Sequence, residues 1–267
     1  MIEMFSFTFM QHALLAAIML GLLCSFVSFF VVMKRLSFLG VGVSHSAMGG
    51  IAIGLVSGMN PVLTGSIFAI AVAIITGQIS RSIRINEDTI IGIFFSCGMA
   101  LGIGIISYAR GYYPELFSLL FGNILAVSRQ DLIILGVAMV VVLAFLIIFF
   151  KELLAICFDE EMAVASGLPV TPLYLSLMAA MGLTIMVSVQ VVGIVLAAAL
   201  LVIPAATGYR LASHYRSLLF VAIAVGIIGC LGGLIISYFI NVPSGASIVL
   251  TMTVLFILAN VSKRRFF

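Results

Sequence analysis

Long runs of apolar residues, separated by short polar segments, make up almost all of this 267-residue chain. A transmembrane helix needs roughly 20 consecutive apolar residues. The pattern therefore predicts an all-α integral membrane protein with a single transmembrane domain over residues 1–267. The sixth and seventh predicted spans join without a polar loop, so eight spans are the alternative to nine. The predicted spans cover residues 11–33, 37–57, 62–79, 89–108, 132–150, 172–190, 191–209, 218–239 and 247–262.

The basic residues predict the orientation of these spans. With the N-terminus outside, every cytoplasmic end of the alternating trace carries Lys or Arg, as the positive-inside rule expects. Only Arg110 and Arg129 then lie outside, and the C-terminus lies in the cytoplasm. The residues on the cytoplasmic side are Lys34, Arg35, Arg81, Arg84, Lys151, Arg210, Arg216, Lys263, Arg264 and Arg265.

The composition narrows the class of protein further. Hydrophobic residues make up 64% of the chain and charged residues 8%, against about 25% charged in an ordinary soluble domain. A net charge of +3, scattered along the chain, argues against nucleic-acid binding. The cysteines stand far apart, so neither a disulfide framework nor a structural zinc site is expected. They are Cys24, Cys97, Cys157 and Cys230.

Several kinds of chemistry have no motif in the sequence. A GxxxxGK[ST] loop is absent, so this chain is not expected to hydrolyse nucleotides by that mechanism. There is no HExxH pair and no plausible Ser/His/Asp set, which argues against an enzyme. Acidic residues lie in loops and at membrane edges, whereas proton-coupled transporters usually carry them inside their spans. A transporter of this composition would need energy from a separate ATPase.

The second predicted span carries the main candidate site. Gly42, Ser46, Gly50 and Gly54 recur every four residues, and such a stripe lets another helix approach closely in lipid. His45 lies in the same span, where an ionisable residue usually faces a partner or a water-filled path. Met48 shares its helix face, and imidazole with thioether can offer soft ligands to a transition metal. The alternative is a histidine hydrogen-bonded to a neighbouring helix.

Two later segments also suggest a mechanism. The segment 159–167 begins with Asp159, Glu160 and Glu161 and is followed by Gly167 and Pro169. Acidic residues favour the start of a helix and glycine favours its end, so a short cytoplasmic helix or an acidic loop is expected there. In the run 188–210, Gln190 lies near the outer boundary and Gly193 gives local freedom. Pro204 is expected to kink the helix or to free the carbonyl of Leu200.

Five segments resemble the zinc/manganese uptake permeases of the ABC transporter superfamily, in the same order and over nearly the whole chain. They are MKRLSFLGVGVSHSAMGGIAIG, LFGNILAVS, DEEMAVASGLP, SVQVVGIVLAAALLVIPAAT and NVPSGASIVL. The resemblance implies a type II ABC importer permease-like bundle in the inner (plasma) membrane. It also implies a homodimer, two cytoplasmic ABC ATPase subunits and an extracytoplasmic metal-binding protein. No permanently bound cofactor is implied, since the metal ion is the cargo.

The resemblance also assigns roles to individual residues. The segment 159–167 would be the coupling helix that docks into the ATPase, with Asp159, Glu160, Glu161, Ala165 and Gly167 as its coupling residues. The second-span motif of the family usually reads Asp-Ala-x-Ser-His followed by Leu-Pro-Gly. Here Ser44 and His45 match that motif, whereas Val41 stands at the Asp position and Gly49 at the Pro position.

His45 is accordingly the predicted metal contact, with Ser44, Met48 and Gln190 as possible helpers. Loss of the anionic ligand favours zinc mildly over manganese, because neutral nitrogen and sulfur donors suit zinc better. Two other functions stay open at this stage. One is an ABC permease for an iron chelate or cobalamin, and the other is a secondary transporter that works alone.

Overall fold

The computed structural model describes residues 7–83, 85–109, 122 and 124–264, with side chains of the last helix described as far as residue 261. Within these residues the secondary structure is helical. In chain order the α-helices are α1 (Thr8–Met33), α2 (Leu39–Ser57), α3 (Pro61–Ile83), α4 (Glu87–Ala109), α5 (Arg129–Ile148), α6 (Phe150–Phe158), α7 (Glu160–Ala165), α8 (Val170–Leu200), α9 (Ile203–Leu211), α10 (Tyr215–Ile240) and α11 (Ser244–Arg264).

The described chain contains eight stretches that are long and apolar enough to cross a membrane. Seven of them are single helices that match predicted spans to within a few residues. The eighth is the 42-residue run Val170–Leu211, which contains both the sixth and the seventh predicted spans. The predicted all-α membrane fold is therefore confirmed. Arg84, Arg110 and most of the segment 109–131 lie outside the described residues.

The run Val170–Leu211 folds back on itself. Ser188 Oγ lies 3.2 Å from Cys24 Sγ, and the Ala205 amide donates to Ser28 Oγ at 3.2 Å. Cys24 and Ser28 are one turn apart on α1, whereas a straight helix from residue 188 to 205 would rise about 25 Å. Gly193 makes the break with φ 80° and ψ 167°, a backbone conformation that is essentially restricted to glycine.

The predicted kink at Pro204 has a different form in the structure. α8 ends at Leu200 and α9 begins at Ile203, so that Pro204 lies in the first turn of the new helix. The missing N–H of proline costs no intrahelical hydrogen bond at that position. Pro204 therefore starts a helix, and the sharp bend inside α8 belongs to Gly193.

The described residues form two compact units. The central unit gathers Met33–Phe117 and Val140–Val187, and the terminal unit gathers Met1–Val32, Ser118–Met139 and Ser188–Phe267. In the central unit α2 packs against α3 and α4, and in the terminal unit α9, α10 and α11 pack against one another. α8 passes from one unit to the other shortly before its break.

Small residues allow the closest helix contacts in the terminal unit. A side chain added at Gly21 would meet backbone atoms of Gly226 and Ile227, each at 3.0 Å. One at Gly233 would meet the Cα atom of Ile248. Helices in lipid associate through such close packing, because lipid tails offer no hydrophobic driving force between helices.

Candidate functional site

The glycine stripe of α2 packs against two different helices of the central unit. Towards its N-terminal end it faces α4, where a Cβ atom added at Gly98 would lie 2.5 Å from Ser46 Cα and 2.7 Å from Ser46 O. Towards its C-terminal end it faces α3, where side chains added at Gly50 and Gly54 would collide with Phe68 and Thr64. The stripe fixes α2, and with it His45, between these neighbours.

His45 has a half-buried imidazole with a free nitrogen. Its ring makes an edge contact with Phe95 of α4, with ring centroids 5.0 Å apart and planes inclined by 76°. Nδ1 is buried and has no hydrogen-bond partner among the described residues. Buried polar atoms are usually paired, so this nitrogen is available to a ligand. The alternative of a histidine hydrogen-bonded through Nδ1 to a neighbouring helix gains no support.

The two predicted helpers on α2 differ in what they offer. Ser44 is buried, and its hydroxyl donates to the carbonyl of Gly40 in its own helix, so its proton is already committed. Met48 is half-buried and lies one turn after His45, which places both on one face of the helix. Of the two, Met48 therefore has the better position to share a ligand with His45.

One turn before His45 on the same face, Val41 borders a largely apolar pocket whose lining residues include Asp88. Val41 is 37% exposed, and the cavity of about 390 Å³ is lined by α2 and α4, including Asp88 and Phe95. Asp88 belongs to the first turn of α4. Sequence reasoning missed this residue, because only the packing of α4 on α2 makes Asp88 and Val41 line the same pocket.

The described side chains do not complete a metal centre. No group of three or more His, Cys, Asp and Glu residues with the geometry for a metal ion occurs in the described part of the chain.

Gln190, the most distant predicted helper, belongs to the terminal unit. Its Nε2 donates to Asp131 Oδ1 at 2.8 Å, and Asp131 also accepts from the amide and hydroxyl of Ser128. The structure thus gives Gln190 a role in joining α8 to the start of α5.

The predicted coupling segment is a short capped helix, α7. The Asp159 side chain accepts from the amide of Met162 at 2.9 Å and caps its start. At its end Gly167 has φ 79°, and the amides of Gly167 and Leu168 donate to Val164 and Ala163, which is a Schellman motif. The expected short helix with a defined stop is therefore present.

The acidic residues of α7 have different surroundings. Glu161 and Ala165 are exposed. Glu160 instead forms ion pairs with Lys34 at 3.3 Å and with Arg81 at 2.7 Å. The sequence indicated that Lys34 and Arg81 lie on the same side of the membrane as α7, but it did not indicate that they share one carboxylate.

Comparison with known proteins identifies what the chain is similar to. Residues 6–263 match the ABC 3 transport family. The manganese transport system membrane protein MntC of Halalkalibacterium halodurans is 38% identical over 96% of this chain and 88% of its own length. The manganese import system permease protein ScaB of Streptococcus gordonii is 37% identical over 95% and 91%. The solved structure of PsaBC from Streptococcus pneumoniae in complex with Fab gives a TM-score of 0.84 at 36% identity, covering 96% of this chain and 92% of that one.

Proposed function

The chain belongs to the ABC 3 transport family, and from this premise we propose that it is the permease subunit of an ATP-driven importer of divalent transition-metal ions. The observation that carries the proposal is the similarity to manganese permeases over nearly the full length of both chains. Manganese is therefore the first cargo to test. Zinc is the second, because His45 and Met48 offer neutral nitrogen and sulfur donors that suit zinc.

The proposed assembly supplies what this chain lacks. The sequence contains no P-loop, so ATP hydrolysis belongs to separate cytoplasmic ABC ATPase subunits docked at α7. An extracytoplasmic metal-binding protein delivers the ion, and two copies of the chain form the pore. The N-terminus faces outward and the C-terminus faces the cytoplasm, as the distribution of basic residues favours.

His45 is the proposed contact for the ion within the membrane. Its Nδ1 atom lacks a hydrogen-bond partner among the described residues, and Asp88 lines the same pocket as Val41. Such a carboxylate would partly restore the hard ligand that manganese prefers. This arrangement supports manganese more than the α2 sequence does when it is considered alone.

The test has two stages. A tagged chain is first extracted from its native membranes in mild detergent, and its partners are identified by mass spectrometry. Recovery of a P-loop ATPase supports the proposal. Recovery of the chain alone, under conditions that keep a control ABC complex intact, refutes it in favour of a secondary transporter.

The second stage measures uptake of radioactive Mn²⁺ and Zn²⁺ into proteoliposomes that contain the complete complex. His45→Ala is expected to lower uptake at least tenfold, about 1.4 kcal/mol of lost stabilisation, with assembly unchanged. The matched control is His214→Ala, which alters an exposed histidine before α10. Equal uptake by both variants would remove His45 from the pathway. Uptake of an iron chelate or cobalamin in place of the free ions would favour the chelate alternative. The similarity of this chain to manganese permeases argues against that alternative.

A further inference from the structure

Four charged side chains and one tyrosine form a cluster at the ends of several helices in the central unit. Glu160 of α7 lies at its centre, 3.3 Å from Lys34 Nζ and 2.7 Å from Arg81 Nη2. Both cations also lie over the ring of Tyr174, each 5.3 Å from its centroid. The hydroxyl of Tyr174 donates to Glu87 at 3.3 Å. The cluster thus holds two cations and two carboxylates.

The members of this cluster come from different elements. Lys34 follows the last residue of α1 and begins the short connection to α2, Arg81 lies in the last turn of α3, and Glu87 is the first residue of α4. Tyr174 lies near the start of α8. Glu160 therefore links α7 directly to α3 and to the connection that leads into α2, and Tyr174 extends the cluster to Glu87 of α4.

The burial of the cations makes the link stronger than an ordinary surface pair. The side chains of Lys34 and Arg81 are 15% and 24% exposed, and that of Glu160 is 39% exposed. Partly buried charges are screened less than exposed ones. Removal of the Glu160 charge would leave two cations sharing one tyrosine ring without the carboxylate that holds them together.

We propose that Glu160 is a positioning residue that transmits movement of α7 to α2, and that it does so through Lys34 and Arg81 rather than by direct contact with the ATPase. Glu161, the next residue, is exposed and is free to face a partner protein. This inference rests on the proposed function, since it assumes that an ATPase moves α7. The inference assigns different roles to Glu160 and Glu161, two neighbouring carboxylates that the sequence alone does not distinguish.

The experiment compares Glu160→Gln, Glu161→Gln and Arg81→Gln in the complete complex with its ATPase, reconstituted in liposomes. Two rates are measured on each sample, ATP hydrolysis and uptake of Mn²⁺, and their ratio gives the ions moved per ATP. Glu160→Gln is expected to lower this ratio at least threefold while ATPase recovery stays at the parental level. Arg81→Gln removes the other partner of the ion pair and is expected to lower the ratio similarly. The double variant Glu160→Gln/Arg81→Gln is expected to have a ratio no lower than that of either single variant.

Each other result overturns the inference. An unchanged ratio in Glu160→Gln and Arg81→Gln would show that the cluster does not transmit movement. Loss of the ATPase from Glu160→Gln but not from Arg81→Gln would make Glu160 a direct docking contact. If Glu160→Gln does not fold, Arg81→Gln alone decides between these results. Failure of the parental complex to show ATP-driven uptake would instead refute the proposed function, and that outcome is read from the parental sample.

Discussion

The closest backbone approach between α2 and α4 provides a quantitative test of the packing around His45. In Gly98→Ala the new Cβ atom would lie 2.5 Å from Ser46 Cα and 2.7 Å from Ser46 O. Both are backbone atoms, so no side chain can rotate away to make room. The two helices must separate, and overpacking of this kind costs about 1–3 kcal/mol.

Gly104→Ala is the matched control, because it makes the same change in the same helix at a site where nothing lies within 4 Å of the new atom. Replacing glycine by alanine inside a helix stabilises it by about 1 kcal/mol, and this gain applies equally to both variants. The difference between them therefore isolates the steric cost.

The assay is thermal unfolding of the purified protein in detergent. The measured signal is the fraction of protein that stays monodisperse on size-exclusion chromatography after heating. At about 2–4 °C per kcal/mol for a chain of this size, Gly98→Ala is expected to melt about 2–12 °C below Gly104→Ala. Uptake should fall as well, since Ser46 adjoins His45. Equal melting temperatures for the two variants would refute the reasoning that α2 is fixed by direct backbone contact.

Two further predictions concern the break in α8 and the thiol beside the coupling helix. Gly193→Ala places a side chain at φ 80° and ψ 167°, which costs about 1–3 kcal/mol. The melting temperature of this variant should therefore fall below that of Gly136→Ala, whose new atom meets only the flexible end of Met19. Equal melting temperatures would mean that the break is not fixed by residue 193. Burial raises the pKa of Cys157 to about 11, although the charge of Lys34 opposes the shift. Since the thiolate is the reactive form, maleimide labelling of a variant that keeps only Cys157 should be slow at neutral pH and should rise about tenfold per pH unit until the pH nears that pKa. A cysteine introduced at exposed Ser166 is the control, and a pH-independent rate at Cys157 would contradict the assigned burial.

Much of the candidate site followed from the sequence, because its signals are local. His45 and Met48 share a helix face wherever α2 is placed, and a glycine stripe allows close packing whichever helix approaches. Asp159 and Gly167 fix the ends of α7 through hydrogen bonds that span only a few residues. The ion pairs of Glu160 and the place of Asp88 in a pocket with Val41 could not be predicted, since the residues that they meet are distant in the chain.

The amino-acid sequence by itself determined that this protein is a bundle of membrane-crossing helices, because a bilayer excludes charge and requires each span to satisfy its own backbone. It also determined the family, since several motifs recur in order. Tertiary structure alone decided that the run Val170–Leu211 turns back at Gly193, in addition to the interruption just before Pro204. It also decided that Glu160 pairs with Lys34 and Arg81. The physical reason is the same in both cases: a turn or an ion pair depends on which distant residues meet, and hydropathy along a chain carries no information about that meeting.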